Sequence, residues 1–198
     1  YLIALRIIAG LSLLYGVFSF NMTLIFTGYF LSAISYITLS LRSPFGLDGS
    51  DQATLLVSLL MLVYALFNSK IIMISVHWFL ALQLTLVYLT SGWSKIKSKG
   101  WRDGTYLWKI FSTDSYGTKK LGAFLRKHKI ISKMMGLSVV LLEMCFFLFW
   151  ILPIEYALTI LILTGFFHLM TAIFMGLNTF LWAFLAMYPS AIYCKLSI

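Results

Sequence analysis

Apolar runs long enough to cross a bilayer alternate along this chain with short polar breaks. The first covers about Leu2 to Phe20, interrupted near its start only by Arg6, and the second covers about Thr23 to Leu41. Runs of roughly 17 to 25 apolar residues span hydrocarbon as helices. Only Asn21 and Met22 separate these two, which predicts an antiparallel helical hairpin. Arg42 to Gln52 reads as a loop, with Pro44, Gly46 and Gly49 as turn residues and Asp51 as a candidate helix N-cap. Ala53 to Phe67 predicts a shorter third helix, Asn68 to Lys70 turn the chain, and Ile71 to Ser94 predicts a fourth. That fourth helix carries His77, Gln83, Thr85, Tyr88, Thr90 and Ser91, so much of its surface is expected to face protein.

Lys95 to Lys129 is too polar to span, yet it contains Trp101, Tyr106, Leu107, Trp108, Ile110 and Phe111. Aromatic and basic residues interleaved in this way suit a segment lying in the membrane interface. Ile130 to Leu152 predicts a fifth span ended by Pro153, and Tyr156 to Met175 a sixth after a turn at Glu155. The last apolar stretch, Asn178 to Leu196, is broken by Pro189, which leaves two readings: a seventh span and a re-entrant piece. The expectation is an all-α polytopic integral membrane protein of about six to seven transmembrane helices. It forms a single domain over residues 1–198, with an interfacial linker at 95–129 between the fourth and fifth helices. No internal repeat or low-complexity tract interrupts it.

Composition agrees with that pattern. Of the 198 residues 61% are hydrophobic and 11% charged, more apolar surface than a soluble core absorbs. The chain opens on Tyr1 rather than Met, which reads as a fragment or a processed chain. Its first apolar segment has no small-residue cleavage site after it and reads as a retained helix. Cys145 and Cys194 have no metal-ligand spacing, and a disulfide framework is not expected.

The net charge of +9 changes the picture because of where it lies. Between Lys95 and Lys133 eleven Lys or Arg residues face only Asp103 and Asp114, an excess equal to the whole net charge. With no recognition module beside it, this cluster is not a nucleic-acid signal. Orientation in the membrane and anionic lipid headgroups account for it better. The positive-inside rule puts Lys95 to Lys133 in the cytoplasm, and counting back through four helices puts Tyr1 there too.

Few residues in the spans can carry chemistry. Lys95, at the end of the fourth helix, has two readings: a snorkelling anchor whose ammonium reaches the headgroups, and a partly desolvated lysine able to act as a base. Tyr88 and Ser91 share its helical face, seven and four residues back. His77 is also in phase but lies roughly 27 Å away along the axis, so hydrogen bonding to a neighbouring helix is its expected role. Glu143, in mid-span, is a costly residue that must be paired, protonated or functional, with Lys95, Arg6 and His168 as candidate partners. His168, with Thr164 and Thr171, forms a polar stripe that suits either helix packing or a catalytic or ligand-orienting role. Asp48 and Asp51 read as turn and capping residues, and Trp101, Arg102, Asp103 and Gly104 as a tight interfacial turn. Phosphate loops, paired catalytic carboxylates, zinc signatures and nucleophile elbows are absent from the sequence, so no metal is expected.

Tyr88, Ser91-Gly92, Lys95 followed by an aliphatic residue, Trp101, Asp103 and Gly104 together resemble the HTTM domain, the membrane domain shared with vitamin K-dependent gamma-glutamyl carboxylase. Ala4-Leu5-Arg6 with Gly10 is similar to the first helix of that family. Leu142-Glu143-Met144 resembles the Leu-Asp-Leu of the matching carboxylase helix, and Phe167-His168-Leu169-Met170 its Phe-His-Cys-Met. Three features differ. Ser94 replaces the first lysine of the carboxylase doublet, Asp51-Gln52 stand where its second loop has a histidine, and no large soluble C-terminal domain is present in these residues.

The resemblance implies that Lys95 matches the lysine that deprotonates reduced vitamin K, with His168 and Glu143 near it. It implies a site on the extracytoplasmic side, opposite to the charge-based orientation, and both expectations stand. Its compact length looks closer to the short bacterial type that includes the membrane component maturing the sporulation-delaying peptide toxin. The expected function is modification or maturation of a secreted, toxin-like peptide in the bacterial cell membrane. The expected catalytic residues are Lys95, His168 and Glu143, with Tyr88, Trp101, Asp103 and Asp51 binding substrate. A reduced quinone is implied as cofactor by the resemblance alone, and lipids, a peptide substrate or a small partner protein are the expected partners. The alternative is a non-enzymatic membrane subunit that binds a peptide or partner protein. A transporter is disfavoured because no inverted repeat or matched pair of broken helices appears. The base role requires that Glu143 be protonated or paired elsewhere, because an ionised carboxylate beside a lysine opposes loss of its proton, and a tight Lys95–Glu143 ion pair would defeat that role.

Overall fold

The computed structural model describes residues 1–44 and 46–198, so Phe45 of the first predicted loop lies outside the described residues. Regular structure among them is helical: α1 (Leu2–Phe18), α2 (Met22–Arg42), α3 (Gly49–Phe67) and α4 (Lys70–Lys97) come first. Three short helices follow in the linker, α5 (Lys99–Arg102), α6 (Thr105–Phe111) and α7 (Lys119–Lys127). Next is α8 (Lys129–Met144), continued through a tight turn at Cys145–Phe147 into α9 (Leu148–Ile151). The chain closes with α10 (Ile154–Met175), α11 (Asn178–Leu185) and α12 (Tyr188–Leu196). Among the described residues five rods are long and apolar enough to cross a membrane: α2, α3, α4, the continuous Lys129–Ile151 and α10. The apolar α1 is shorter, at 17 residues, near the lower limit for a span. The protein is an all-α polytopic membrane protein.

Two compact units divide the chain, Tyr1–Leu80 and Ala81–Ile198. In the first, α1 and α2 form the predicted hairpin. The Asn21 side chain caps α2 by accepting from the Thr23 and Leu24 amides at 3.0 and 3.2 Å. Small residues, Ala9 and Gly16 on α1 with Gly28 and Ala33 on α2, are buried, which brings the two backbones close. Arg6 donates through Nε to Ser35 Oγ at 2.9 Å and stacks 4.2 Å from the Tyr36 ring centroid. The expected N-cap of α3 is corrected. Asp48 takes the extended conformation and accepts from the Asp51 amide at 2.8 Å. The helix therefore starts four residues before the predicted Ala53, and Asp51 lies in its first turn, where the helix dipole favours an acid.

In the second unit the linker folds on itself. Leu107 and Phe111 of α6 and Leu125 of α7 are buried together, with Trp101, Trp108, Leu121 and Met175 packed around them. The apolar residues of the predicted interfacial segment thus make a small core of their own. Gly104 turns the chain between α5 and α6 at φ +79°, and a Cβ there would collide with the backbone of Ser132 and Lys133. Ser132 Oγ donates to the Gly104 carbonyl at 2.7 Å, tying the linker to α8.

Pro189 does not make the break in the final apolar stretch. The helix stops after Leu185, and Pro189 lies in the first turn of α12, where a missing amide donor costs nothing. The two pieces have 8 and 9 residues, roughly 12–14 Å each. Neither alone spans hydrocarbon, which excludes a continuous seventh helix and leaves a broken segment.

Candidate functional site

The last two turns of α4 and the last turn of α8 build the site. Lys95 projects from the same face as Ser91, one turn earlier, and its ammonium donates to Ser91 Oγ at 2.5 Å. The same nitrogen lies 2.7 Å from each oxygen of Glu143. The side chains are 18% and 5% exposed, so the pair is largely withdrawn from solvent. Gly92 explains how the carboxylate gets there: a Cβ at that position would meet the Met144 amide nitrogen at 2.9 Å and Glu143 Cβ at 3.1 Å. Only a glycine lets α8 come this close, and the approach delivers Glu143 onto Lys95. The Trp101 ring centroid lies 5.3 Å from the Lys95 nitrogen, within cation–π range.

Two turns back on the same face, Tyr88 opens a second polar cluster. Its hydroxyl lies 2.8 Å from His168 Nε2 and 3.3 Å from the Tyr188 hydroxyl. The Tyr188 hydroxyl is in turn 2.8 Å from Thr164 Oγ1. Aromatic rings enclose the cluster: Phe146 stacks on Tyr88 at 4.3 Å, and Phe184 lies 4.2 Å from the His168 ring. Tyr88, His168 and Tyr188 are all buried. In apolar surroundings an unpartnered hydroxyl or imidazole is costly, and here each has a partner.

The candidates from the sequence thus separate. Lys95, Glu143 and Trp101 meet, and of the three partners expected for Glu143, Lys95 is the one that bonds it. Tyr88 and His168 meet each other. Thr164, expected on the polar stripe, joins them, while Thr171 Oγ1 donates back to the His168 carbonyl at 2.8 Å. Asp103 is exposed and accepts from the Thr105 amide at 2.9 Å. Hydrogen bonds from the Thr105 hydroxyl and amide hold its carboxyl below the usual aspartate range. Asp51 belongs to the first unit.

Tyr188 is the site residue that sequence reasoning missed. It lies beyond the break between α11 and α12, so no helical periodicity connects it to the other polar positions. Its neighbour Pro189, read as a breaker, marks the start of the helix that presents it.

The chemistry open to the first cluster is proton exchange. An ammonium between two carboxylate oxygens is neutral overall, and transfer of one proton along a 2.7 Å contact converts it to an amine and a carboxylic acid. Compared with protein-family models, curated proteins and solved structures, the chain finds no match.

Proposed function

We propose that this chain is a membrane protein of the HTTM type that modifies or matures a secreted peptide in the bacterial cell membrane, with the Lys95–Glu143 pair as its proton-accepting group. One observation supports the reading best. The short motifs that carry the resemblance lie up to 80 positions apart, and their side chains, Lys95 with Glu143 and Tyr88 with His168, are bonded to one another.

The tight Lys95–Glu143 ion pair defeats the role expected of Lys95 as a base on its own, and the reading that remains is one in which the pair acts as a unit. Held as an ammonium between both carboxylate oxygens, Lys95 has no lone pair with which to accept a proton. The reacting form is the one in which the ammonium proton has moved to Glu143. The freed amine then takes a proton from the substrate, leaving ammonium beside carboxylic acid and an anionic substrate. Glu143 is therefore a working part of the base, and Tyr88 with His168 orient the neighbouring polar wall.

The same bidentate pair also favours the second reading, a non-enzymatic subunit in which a fixed charge clamps α4 to α8 while the protein binds a peptide or partner. Arginine separates the two, because it keeps the charge and the carboxylate contact but cannot give up its proton. Function lost in Lys95→Arg at normal membrane levels supports the enzyme, and function retained supports the subunit.

A further inference from the structure

We infer that the basic face of α7 is a seat for the phosphate of an anionic phospholipid headgroup, a site separate from the Lys95–Glu143 pair. The helix is strongly two-sided. Leu121, Gly122 and Leu125 turn inward, and Leu125 completes the small core with Leu107 and Phe111. That apolar face is occupied by protein, so α7 does not dip it into lipid as a free amphipathic helix would. Lys119, Ala123, Arg126 and Lys127 lie on the other side. Together with Ser112, at the end of α6, they line a depression of about 570 Å³.

Charge on this wall is only partly balanced. The ion pairs among the described residues are Lys95–Glu143 and Lys119–Asp114, so one of the three cations is matched and Arg126 and Lys127 face no carboxylate. The Arg126 guanidinium is 5.5 Å from the Trp108 ring centroid, which holds its planar fork beside the depression. A fork of this kind matches a phosphate with two parallel hydrogen bonds.

Position decides what carries the phosphate. Lys127 stands two residues before Lys129, the first residue of the membrane-crossing rod Lys129–Ile151. Arg126 and Lys127 are therefore held at headgroup height, where anionic lipids are concentrated. An acidic peptide would have to reach the same level in competition with them.

The test uses the full chain purified in detergent, with native mass spectrometry of lipid retention. Phosphatidylglycerol is expected to remain bound where phosphatidylcholine is not. The Arg126→Ala/Lys127→Ala variant is expected to lose retention on the order of thirtyfold, from the contribution of two cations near an anionic headgroup. Lys97→Ala/Lys99→Ala removes the same charge from the same linker outside the depression and is expected to change little. If the first variant fails to fold, the exposed Lys127→Gln alone is expected to lose about fivefold. Equal losses in both double variants, or equal retention of the two lipids by the parent chain, would overturn the assignment. So would binding of a polyglutamate peptide that depends on Arg126 and Lys127 without any preference between the lipids.

Discussion

Lys95 and Glu143 lie 48 positions apart in the chain, and the lysine nitrogen is 2.7 Å from both oxygens of the carboxylate. Two residues that would each be prohibitive in hydrocarbon alone are tolerable together. Removing one partner leaves the other charge uncompensated, so Lys95→Met and Glu143→Gln are each expected to destabilise the protein by about 3 kcal/mol, the low end for buried pairs because Lys95 retains some exposure. The double variant Lys95→Met/Glu143→Leu is expected to recover most of that loss. Thermal unfolding in detergent measures all three, and a double variant no more stable than the singles contradicts a simple pair.

Gly92 sets the distance between α4 and α8. Gly92→Ala places a methyl group 2.9 Å from the Met144 amide nitrogen, so the helices must part. A loss of about 1–3 kcal/mol is expected from overpacking. Function should fall along with it, because the same shift draws Glu143 away from Lys95. Unchanged stability would mean that the helices are not this close.

Tyr88 is the hub of the second cluster. Tyr88→Phe keeps the ring on Phe146 but strips hydrogen bonds from His168 and Tyr188. A loss of about 1–3 kcal/mol is expected from the polar atoms left behind. Tyr188→Phe leaves the contact between Tyr88 and His168 in place and should cost less. The reverse order would make Tyr188 the hub.

In the linker, Asp114 and Lys119 make an exposed pair at 2.6 Å. The hydrogen bond and charge of Lys119 depress the Asp114 carboxyl, and those of Asp114 raise the Lys119 ammonium. A depressed carboxylate favours the folded state above its unfolded value, and the gain disappears as pH falls through the folded one. A raised lysine favours it below its unfolded value, and the gain disappears as pH rises through the folded one. Carboxyl NMR titration should find Asp114 below the ordinary aspartate range. In Lys119→Ala it should return there, with no measurable change in melting temperature, because the pair is solvated. An unshifted Asp114 in the parent chain would remove the pair.

The spans were legible because hydrophobic run length is a physical requirement of the bilayer: the six runs predicted from Leu2 to Met175 fall on helices, and five of those, among the described residues, are long and apolar enough to cross. Ser91 was placed beside Lys95 by the 3.6-residue period, which acts within one helix. The partners of Glu143 and His168 lie on other helices. Charge and polarity narrowed the partners of Glu143 to three candidates and could not choose among them, since the choice depends on backbone approach at Gly92, and the bond from His168 to Tyr88 on another helix was not legible at all. The linker was legible only in part. Its interleaved aromatic and basic residues mark an interfacial segment, but that its apolar members also pack into a small core depends on the meeting of α6 with α7. At the C-terminal end a proline after an apolar run looked like a breaker, whereas its place in the first turn of α12 depends on where the chain had already turned.

The most direct test of the central claim follows the secreted peptide by mass spectrometry in cells carrying the genes that neighbour this one. It compares the parent chain with Lys95→Ala, Lys95→Arg and Glu143→Gln at matched membrane levels. A base shared between Lys95 and Glu143 predicts unmodified peptide in all three variants. Normal modification in Lys95→Arg would contradict it, since a permanent cation would then suffice.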